Sequence, residues 1–512
     1  MIYTPIAAFV IAACLAMAII PLAKKFAAKA GLVDLPDQKR KLHKNATPLI
    51  GGICVFVATL AAIALTAILF RSELQQIQLN MQLLLGLLIA SAAILLLGVL
   101  DDRFNIRGRQ KLLGQIVVAT ILILFGYRFD SISVYGHTLD LQIFSIIVVY
   151  AWILIGVNSV NLLDGADGFA TTIGLLMSIA LCVMSFHIQK YDDAVICAAM
   201  AGALLAFMRF NFPPASAYLG DAGSMLIGLF IAAMSIKSAS KEAATYAFLA
   251  PIALLAIPMF DTLAAIVRRR LTGRSIYTVD RGHLHHALMG KGFGPRKALL
   301  LFFAMCLMTA TGGTMSLIYR EAEYAMLSIM AVIVFLFVGR VFGVAEYKLL
   351  TNRSKSVFRS FFTMPNPDKA SHHATVQLQG VRDWESCWEV LRQFAENRRL
   401  HKMTLDLNLP WIHESFNANY TNGERGRQSD EIWAIHLPLK LGERIIGRLD
   451  LEGGLFDSDD FELVVQDLNS IRADLEHFFE LTVGLPTKEI EDSEAKIQSI
   501  EFTTAEKQAQ VG

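Results

Sequence analysis

The sequence predicts an all-α polytopic membrane protein of about eleven transmembrane helices, followed by a C-terminal cytoplasmic α+β domain. Three observations carry this expectation. Hydrophobic residues make up 54% of the 512 residues and charged residues only 18%, where a soluble domain carries about 25% charge. Apolar runs of bilayer length fill residues 1–350, whereas 351–512 read as ordinary soluble sequence and hold four of the five Trp (Trp384, Trp388, Trp411, Trp433). Lys and Arg concentrate in alternate loops between the runs. The net charge of +1 offers no bulk basicity for binding nucleic acid.

A helix crosses the hydrocarbon core with about 20 apolar residues. The candidate spans are 3–23, 49–70, 82–100, 112–127, 141–157, 167–187, 192–209, 223–236, 246–267, 298–318 and 324–344, the fourth and eighth being short. Backbone groups in lipid must be satisfied internally, so the spans are read as helices. The first run is not read as a cleaved signal peptide, because Met1 to Pro5 carry no positive charge and the lysines follow the run. Loops 24–48, 101–111 and 268–297 hold seven, four and eight Lys and Arg; loops 71–81, 128–140, 188–191, 237–245 and 319–323 hold one, one, one, two and one. Basic loops stay inside. The N-terminus is therefore expected outside and the tail in the cytoplasm, with the protein in the inner (plasma) membrane. The six Cys (14, 54, 182, 197, 306, 387) form no C-x-x-C, so neither a zinc ribbon nor a disulfide framework is expected.

The domain boundaries expected are a membrane domain over 1–350, a linker over 351–374, a soluble α+β domain over 375–482 and a disordered tail over 483–512. In the soluble part we expect strands at 375–380, 402–409, 431–440 and 444–452, and helices at 384–399 and 459–481. Leu441-Gly442-Glu443 is a hairpin signal between the last two strands. This order resembles a GAF-type sensory module.

The polar residues of the membrane part fall at loops assigned to one side. An α-helical run ends in Asp101-Asp102, with Lys111 and Gln115 following. Adjacent carboxylates raise one pKa unless a cation neutralises them; the bland alternative is a solvated helix end. In Asn158-Ser-Val-Asn161-Leu-Leu-Asp164-Gly-Ala-Asp167-Gly, polar groups recur every three residues. Asn158 and Asn161 could share a helix face that Asp164 and Asp167 continue. Such oxygens suit Mg²⁺ or a sugar phosphate; the alternative is an Asx-rich cap. In Asn211 to Ser224, Asp221 lies beside Gly220 and near Gly223, where it could N-cap the next helix or bind a metal. Asp261 sits inside a span. Asp280-Arg281-Gly-His283-Leu-His285-His286 lacks zinc spacing and suits a pyrophosphate through Arg and His⁺.

Together these motifs resemble the polyprenyl-phosphate N-acetylhexosamine-1-phosphate transferases, over about residues 1–345. The stretches Gly31 to His43 and Pro48 to Gly52, and the Leu284 that interrupts the His group, resemble the WecA branch rather than the peptidoglycan branch. The resemblance implies transfer of a sugar 1-phosphate, with GlcNAc-1-phosphate expected, from a UDP-sugar to undecaprenyl phosphate, releasing UMP as the first membrane step of cell-surface polysaccharide synthesis. Another UDP-sugar, such as UDP-MurNAc-pentapeptide, is the alternative within the class. A lipid-linked sugar transporter is the alternative outside it, but it would need polar residues through the bilayer depth and on both faces.

The resemblance also implies Mg²⁺, with Mn²⁺ as a substitute. Asp221 is the first metal candidate, helped by Asn161 or by the Asp164 and Asp167 pair. Asp101 or Asp102 would deprotonate or orient the lipid phosphate, or add a second ligand. Lys111, His283, His285 and His286 would stabilise pyrophosphate charge. Asn158, Asp164, Asp167, Asn211 and Arg281 are candidate substrate contacts. In-line attack by the lipid phosphate is preferred over a covalent phosphosugar on an Asp. Membrane lipid is an expected neighbour, as are a homodimer and a ligand or partner for the soluble tail.

Overall fold

A computed structural model describes residues 3–34, 47–74, 80–129, 131–134, 137–239, 245–271, 282–339, 371–379, 384–398, 400–409, 414–422, 432–441, 444–454, 468, 471–476 and 478–479. The chain divides into two compact units, 1–350 and 351–512.

The first unit is mostly helical. Its elements are α1 (Tyr3–Ala30), β1 (Val33–Asp34), β2 (Thr47–Pro48), α2 (Gly51–Leu69), the single turn α3 (Arg71–Leu74), α4 (Met81–Phe104), α5 (Gly108–Leu124), the hairpin strands β3 (Ser131–Val134) and β4 (His137–Asp140), and α6 (Phe144–Leu163). Then come α7 (Phe169–His187), α8 (Tyr191–Asn211), α9 (Gly220–Ala239), α10 (Thr245–Leu271), α11 (Leu284–Gly290), α12 (Pro295–Tyr319) and α13 (Glu323–Val338). Among the described residues nine helices are long and apolar enough to cross a membrane: α1, α2, α4, α6, α7, α8, α9, α10 and α12. Large apolar side chains such as Ile68, Leu96, Leu113, Leu300 and Leu327 point outward, as expected of a multi-pass protein whose solvent is lipid. Two of the eleven expected spans, 112–127 and 324–344, fall on α5 and α13, which have only 17 and 16 residues. The eighth expected span was bounded too narrowly: α9 begins at Gly220, because the polar residues at its start are held by neighbouring side chains.

Small residues let the helices approach. Ala8, Ala12 and Ala16 are buried along α1, which packs on α8, and a Cβ on Gly202 would stand 2.0 Å from the Phe9 carbonyl oxygen. α9 is the most enclosed span, packed by α2, α4, α6 and α7. Its C-terminal half is locked to α6 by the Trp152 Nε1–H bond to Ser235 Oγ (2.9 Å). Its first turn meets two backbones: a Cβ on Gly52 of α2 would lie 2.4 Å from Gly223 N, and one on Gly98 of α4 would lie 2.3 Å from Ala222 Cα. With no lipid-driven force between helices, such close backbone contact is a main source of helix association.

The second unit holds β5 (Ser371–Gln379), α14 (Trp384–Asn397), β6 (Lys402–Leu409), β7 (Glu414–Asn422), β8 (Ile432–Leu441) and β9 (Arg444–Gly454) in one antiparallel sheet of order β5-β7-β6-β9-β8. Leu441 pairs with Arg444, closing the hairpin between β8 and β9. Trp384, Trp388, Leu391 and Ala395, spaced on one face of α14, are buried against Met403, Leu405, Phe416, Ala418, Tyr420 and Leu449. Strand β7 was not foreseen. Its Asn417, Asn419 and Asn422 disfavour strand, while Phe416, Ala418 and Tyr420 alternate into the core, and that tertiary packing decides. The helix expected over 459–481 lies mostly outside the described residues, of which 471–476 are helical. Of the linker expected over 351–374, residues 371–374 belong to β5; the rest of it and the tail expected over 483–512 lie outside the described residues.

Candidate active site

Several helix ends gather the polar motifs at one end of the bundle: the C-terminal ends of α4, α6 and α8 and the N-terminal ends of α5 and α9. α4 stops just past the Asp pair because Asn105 adopts a left-handed conformation (φ 48°), a common helix terminator. α6 stops at Leu163, so Asp164 sits at its C-terminal end and Asp167 in the following turn. The helix face carrying Asn158 and Asn161 therefore does not continue through the two aspartates, contrary to the periodicity reading. Gly168, at φ 83°, opens α7, a backbone conformation that glycine accepts freely.

Lys111 is the hub. Its Nζ donates to Asp221 Oδ2 at 2.8 Å and to Asn161 Oδ1 at 3.1 Å, and stands 2.8 Å from Asp101 Oδ2. Asn161 Nδ2 in turn donates to Asp221 Oδ1 (2.7 Å) and Ser224 Oγ (2.9 Å). Residues far apart in sequence thus close a network around one ammonium. Burial pulls the Lys111 ammonium down, but the carboxylates of Asp221 and Asp101 outweigh it and hold the group above the ordinary lysine value. Lys111 is therefore charged throughout the neutral range.

Asp101 also accepts the Ile106 N–H (3.0 Å). Asp102 does something different: its Oδ1 accepts the Asp221 N–H (2.8 Å) and its Oδ2 the Ala222 N–H (3.2 Å). The capping alternative considered for Asp221 is met by this residue from another helix, which leaves the Asp221 side chain facing Lys111 and Asn161.

Two of the expected substrate contacts are committed internally. Asn158 Nδ2 donates to Gln115 Oε1 (2.7 Å) and its Oδ1 accepts from Gln115 Nε2 (3.2 Å), joining α5 to α6. Asn211 is buried; its Oδ1 accepts from Gly168 N (3.1 Å) and Thr171 Oγ1 (2.7 Å), and its Nδ2 donates to the Ala217 carbonyl (3.0 Å). Asp167 Oδ2 accepts the Ala215 N–H (2.9 Å), so it braces the same loop. Asp164 makes no side-chain hydrogen bond among the described residues. Burial, then the charges of Asp221, Asp102 and Asp167, push its carboxyl well above the usual carboxylate range.

The histidines pack against the turn that carries Asp164 and Asp167. A Cβ on Gly165 would lie 3.1 Å from His285 Nε2, and the Phe169 and His285 rings stand edge to face at 5.8 Å. His283 Nδ1 is 2.7 Å from Asp261 Oδ2, and Asp261 Oδ1 accepts the Leu284 N–H (2.7 Å), so Asp261 both orients His283 and caps α11. His286 lies beside His285, ring centroids 4.2 Å apart. His285 is buried, and its two ring nitrogens have no hydrogen-bond partner among the described residues. Burial, and then the neighbouring His286 and His283, hold its imidazole well below the ordinary histidine value. The sequence reading took this group as His⁺; the structure makes His285 a neutral imidazole, able to give or take a hydrogen bond but not to carry charge. Arg281 lies outside the described residues. Arg296, noticed in the sequence only as a loop cation, ties the start of α12 to the Pro213 carbonyl (3.1 Å); no local signal distinguishes it.

The oxygens that converge on Lys111 are hard donors, the kind Mg²⁺ takes. Among the described residues no three His, Cys, Asp or Glu side chains form a closed metal cage. Asp221 and Asn161 are the residues that could hold Mg²⁺, an ion that ordinarily takes one or two carboxylates and completes its shell with substrate phosphates and water.

Residues 84–239, which contain the α4 to α9 cluster, match the family model described as glycosyl transferase family 4. The chain is 31% identical over 337 residues to the decaprenyl-phosphate N-acetylglucosaminephosphotransferase of Mycobacterium tuberculosis (strain ATCC 25618 / H37Rv), covering 61% of this chain and 82% of the relative. It is 27% identical over 336 residues to the undecaprenyl-phosphate alpha-N-acetylglucosaminyl 1-phosphate transferase of Escherichia coli (strain K12), covering 64% of this chain and 88% of the relative.

Proposed function

The chain belongs to glycosyl transferase family 4, and on that premise we propose that it transfers N-acetylglucosamine 1-phosphate from UDP-N-acetylglucosamine to a polyprenyl phosphate, undecaprenyl phosphate being the expected acceptor, with release of UMP. The observation that carries the reading is the Lys111 network, which holds Asp101, Asp221 and Asn161 at one end of the bundle. The excess of Lys and Arg in the loops at that end supports a cytoplasmic site in this reading, where nucleotide sugars are found.

Both reactants are anions, so the work is positioning and charge stabilisation. The second pKa of a phosphomonoester is about 6, so the lipid phosphate is largely a dianion at neutral pH and can attack without first losing a proton. The new bond runs from a lipid phosphate oxygen to the β-phosphorus of the donor; the bond to the UMP oxygen breaks. Lys111, permanently charged, faces the phosphates. Neutral His285 and the Asp261-oriented His283 supply hydrogen bonds to the leaving group. Asp221 and Asn161 would hold Mg²⁺, which when bound neutralises phosphate charge. Asp164, with no internal partner among the described residues, is the carboxyl left to meet the sugar or the nucleotide. Asn158, Asn211 and Asp167 keep α5, α6, α7 and the 212–219 loop in register and act through the residues they hold.

The test is direct. Purified protein with Mg²⁺, undecaprenyl phosphate and a panel of UDP-sugars should release UMP and form labelled lipid with UDP-N-acetylglucosamine. Turnover confined to UDP-MurNAc-pentapeptide would replace the donor, and none with any donor would overturn the proposal.

A further inference from the structure

The two aspartates of the Asp101-Asp102 pair do not share a task. Neighbouring residues on a helix point about 100° apart. Asp101 turns to Lys111, and Asp102 turns to the start of α9. There its two carboxylate oxygens take the N–H groups of Asp221 and Ala222, at 2.8 and 3.2 Å. Those N–H groups are among the four at a helix start that have no partner within the helix. A carboxyl oxygen accepts from these N–H groups whether or not the group is charged, and the helix dipole favours the charged form. The surroundings are shaped to bring the carboxylate in. Gly220 adopts φ 71°, and a Cβ there would stand 2.5 Å from Asp102 Oδ2 and 3.0 Å from Oδ1. Gly98, one turn earlier on α4, lets that helix lie directly on Ala222.

We infer that Asp102 is a positioning residue, an N-cap supplied to α9 by α4 that fixes where the Asp221 side chain stands, and that it neither takes the reaction's proton nor ligates the metal. The inference rests on the reading of Asp221 as a metal ligand. It accounts for the adjacent pair: one carboxylate balances Lys111 and the other sets the helix that brings Asp221 to the same ammonium. Asp102→Asn keeps one acceptor of suitable shape, and Asn caps about as well as Asp; Asp102→Ala keeps none.

The experiment uses the full chain in detergent and three readouts. Hydrogen exchange of metal-free protein reports the α9 start directly. Exchange of the peptide spanning 219–225 should rise by about 2- to 30-fold in Asp102→Ala and by less in Asp102→Asn. Titration with Mn²⁺, followed by electron paramagnetic resonance, should show affinity falling in the same order. Turnover should fall much less in Asp102→Asn, which keeps an acceptor, than in Asp102→Ala. Unchanged exchange in both variants, with turnover lost equally, would overturn the inference and make Asp102 a base or ligand. If Asp102→Ala does not fold, Asp102→Asn decides alone: turnover and Mn²⁺ affinity largely retained support the cap, and turnover lost with exchange of 219–225 unchanged refutes it. Asp221→Asn is the control on the underlying reading. If it binds Mn²⁺ as the parent does, the metal assignment fails, while the exchange result still judges the cap.

Discussion

Lys111 carries the charge balance of the site. Removing it leaves Asp101 and Asp221, both within 2.8 Å of its ammonium, facing each other and an incoming phosphate. Lys111→Met is expected to lower single-turnover UMP release by about 10²- to 10³-fold, the scale of losing one electrostatic stabiliser. A loss under tenfold would show that the cluster's charge does not matter to the reaction. His285 gives the pH dependence. Its folded-state pKa lies well below the ordinary value through burial, so the unfolded chain takes up a proton below about pH 6.5 that the folded protein refuses. The stabilisation is whole above that pH and is lost as pH falls. His283, His286 and the turn bearing Asp164 and Asp167 face the same ring. On going from pH 7.5 to 5.5 the melting temperature of the parent should therefore fall relative to that of His285→Phe; parallel curves would contradict this. The residue types were legible in the sequence because oxygens and imidazoles are costly at a membrane edge without a purpose. Their partners were not. Nothing local separates Asn161, turned to Asp221 and Lys111, from Asn158, closed on Gln115. Nor does spacing reveal that Asn211 spends its amide on Gly168, Thr171 and Ala217.

At the level of elements, helices were legible from apolar run length, and their ends were not. The end of α6 at Leu163 broke the three-residue periodicity, since Gly165 and Gly168 turn the chain where a helix wheel would carry on. Strand β7 stayed hidden under its asparagines, although Phe416, Ala418 and Tyr420 carried the alternation. The crossing of α4 on α9 depends on Gly98, where a Cβ would meet the Ala222 backbone at 2.3 Å. Backbone cannot yield as a side-chain tip can, and overpacking of this kind costs about 1–3 kcal/mol. Gly98→Ala is expected to lower both thermal stability and UMP release, because the displaced element carries Asp221. Gly292, whose added Cβ would meet nothing within 4 Å, marks by contrast a position set by its backbone angle and not by packing. Unaltered turnover in Gly98→Ala would mean that α9 tolerates a shift at its first turn.

On the scale of the whole molecule the chain is two units, and the motifs that match the family lie in the first. The second has its own core around Trp384, Trp388 and the sheet. Among the described residues, those of the Lys111 network all belong to the first unit. A chain ending at residue 350 is therefore expected to retain UMP release in membranes, with kcat close to that of the full chain; abolished turnover in a stably inserted truncation would assign the second unit a role in the reaction. The apolar runs of the sequence end near residue 350, and the two units divide between 350 and 351. The account as a whole depends on Asp221 standing where the lipid phosphate and the nucleotide sugar meet. The most direct measurement is Mg²⁺-dependent UMP release from UDP-N-acetylglucosamine and undecaprenyl phosphate by Asp221→Asn, alongside its level of membrane insertion. The account predicts normal insertion with turnover abolished; full activity in that variant would contradict it.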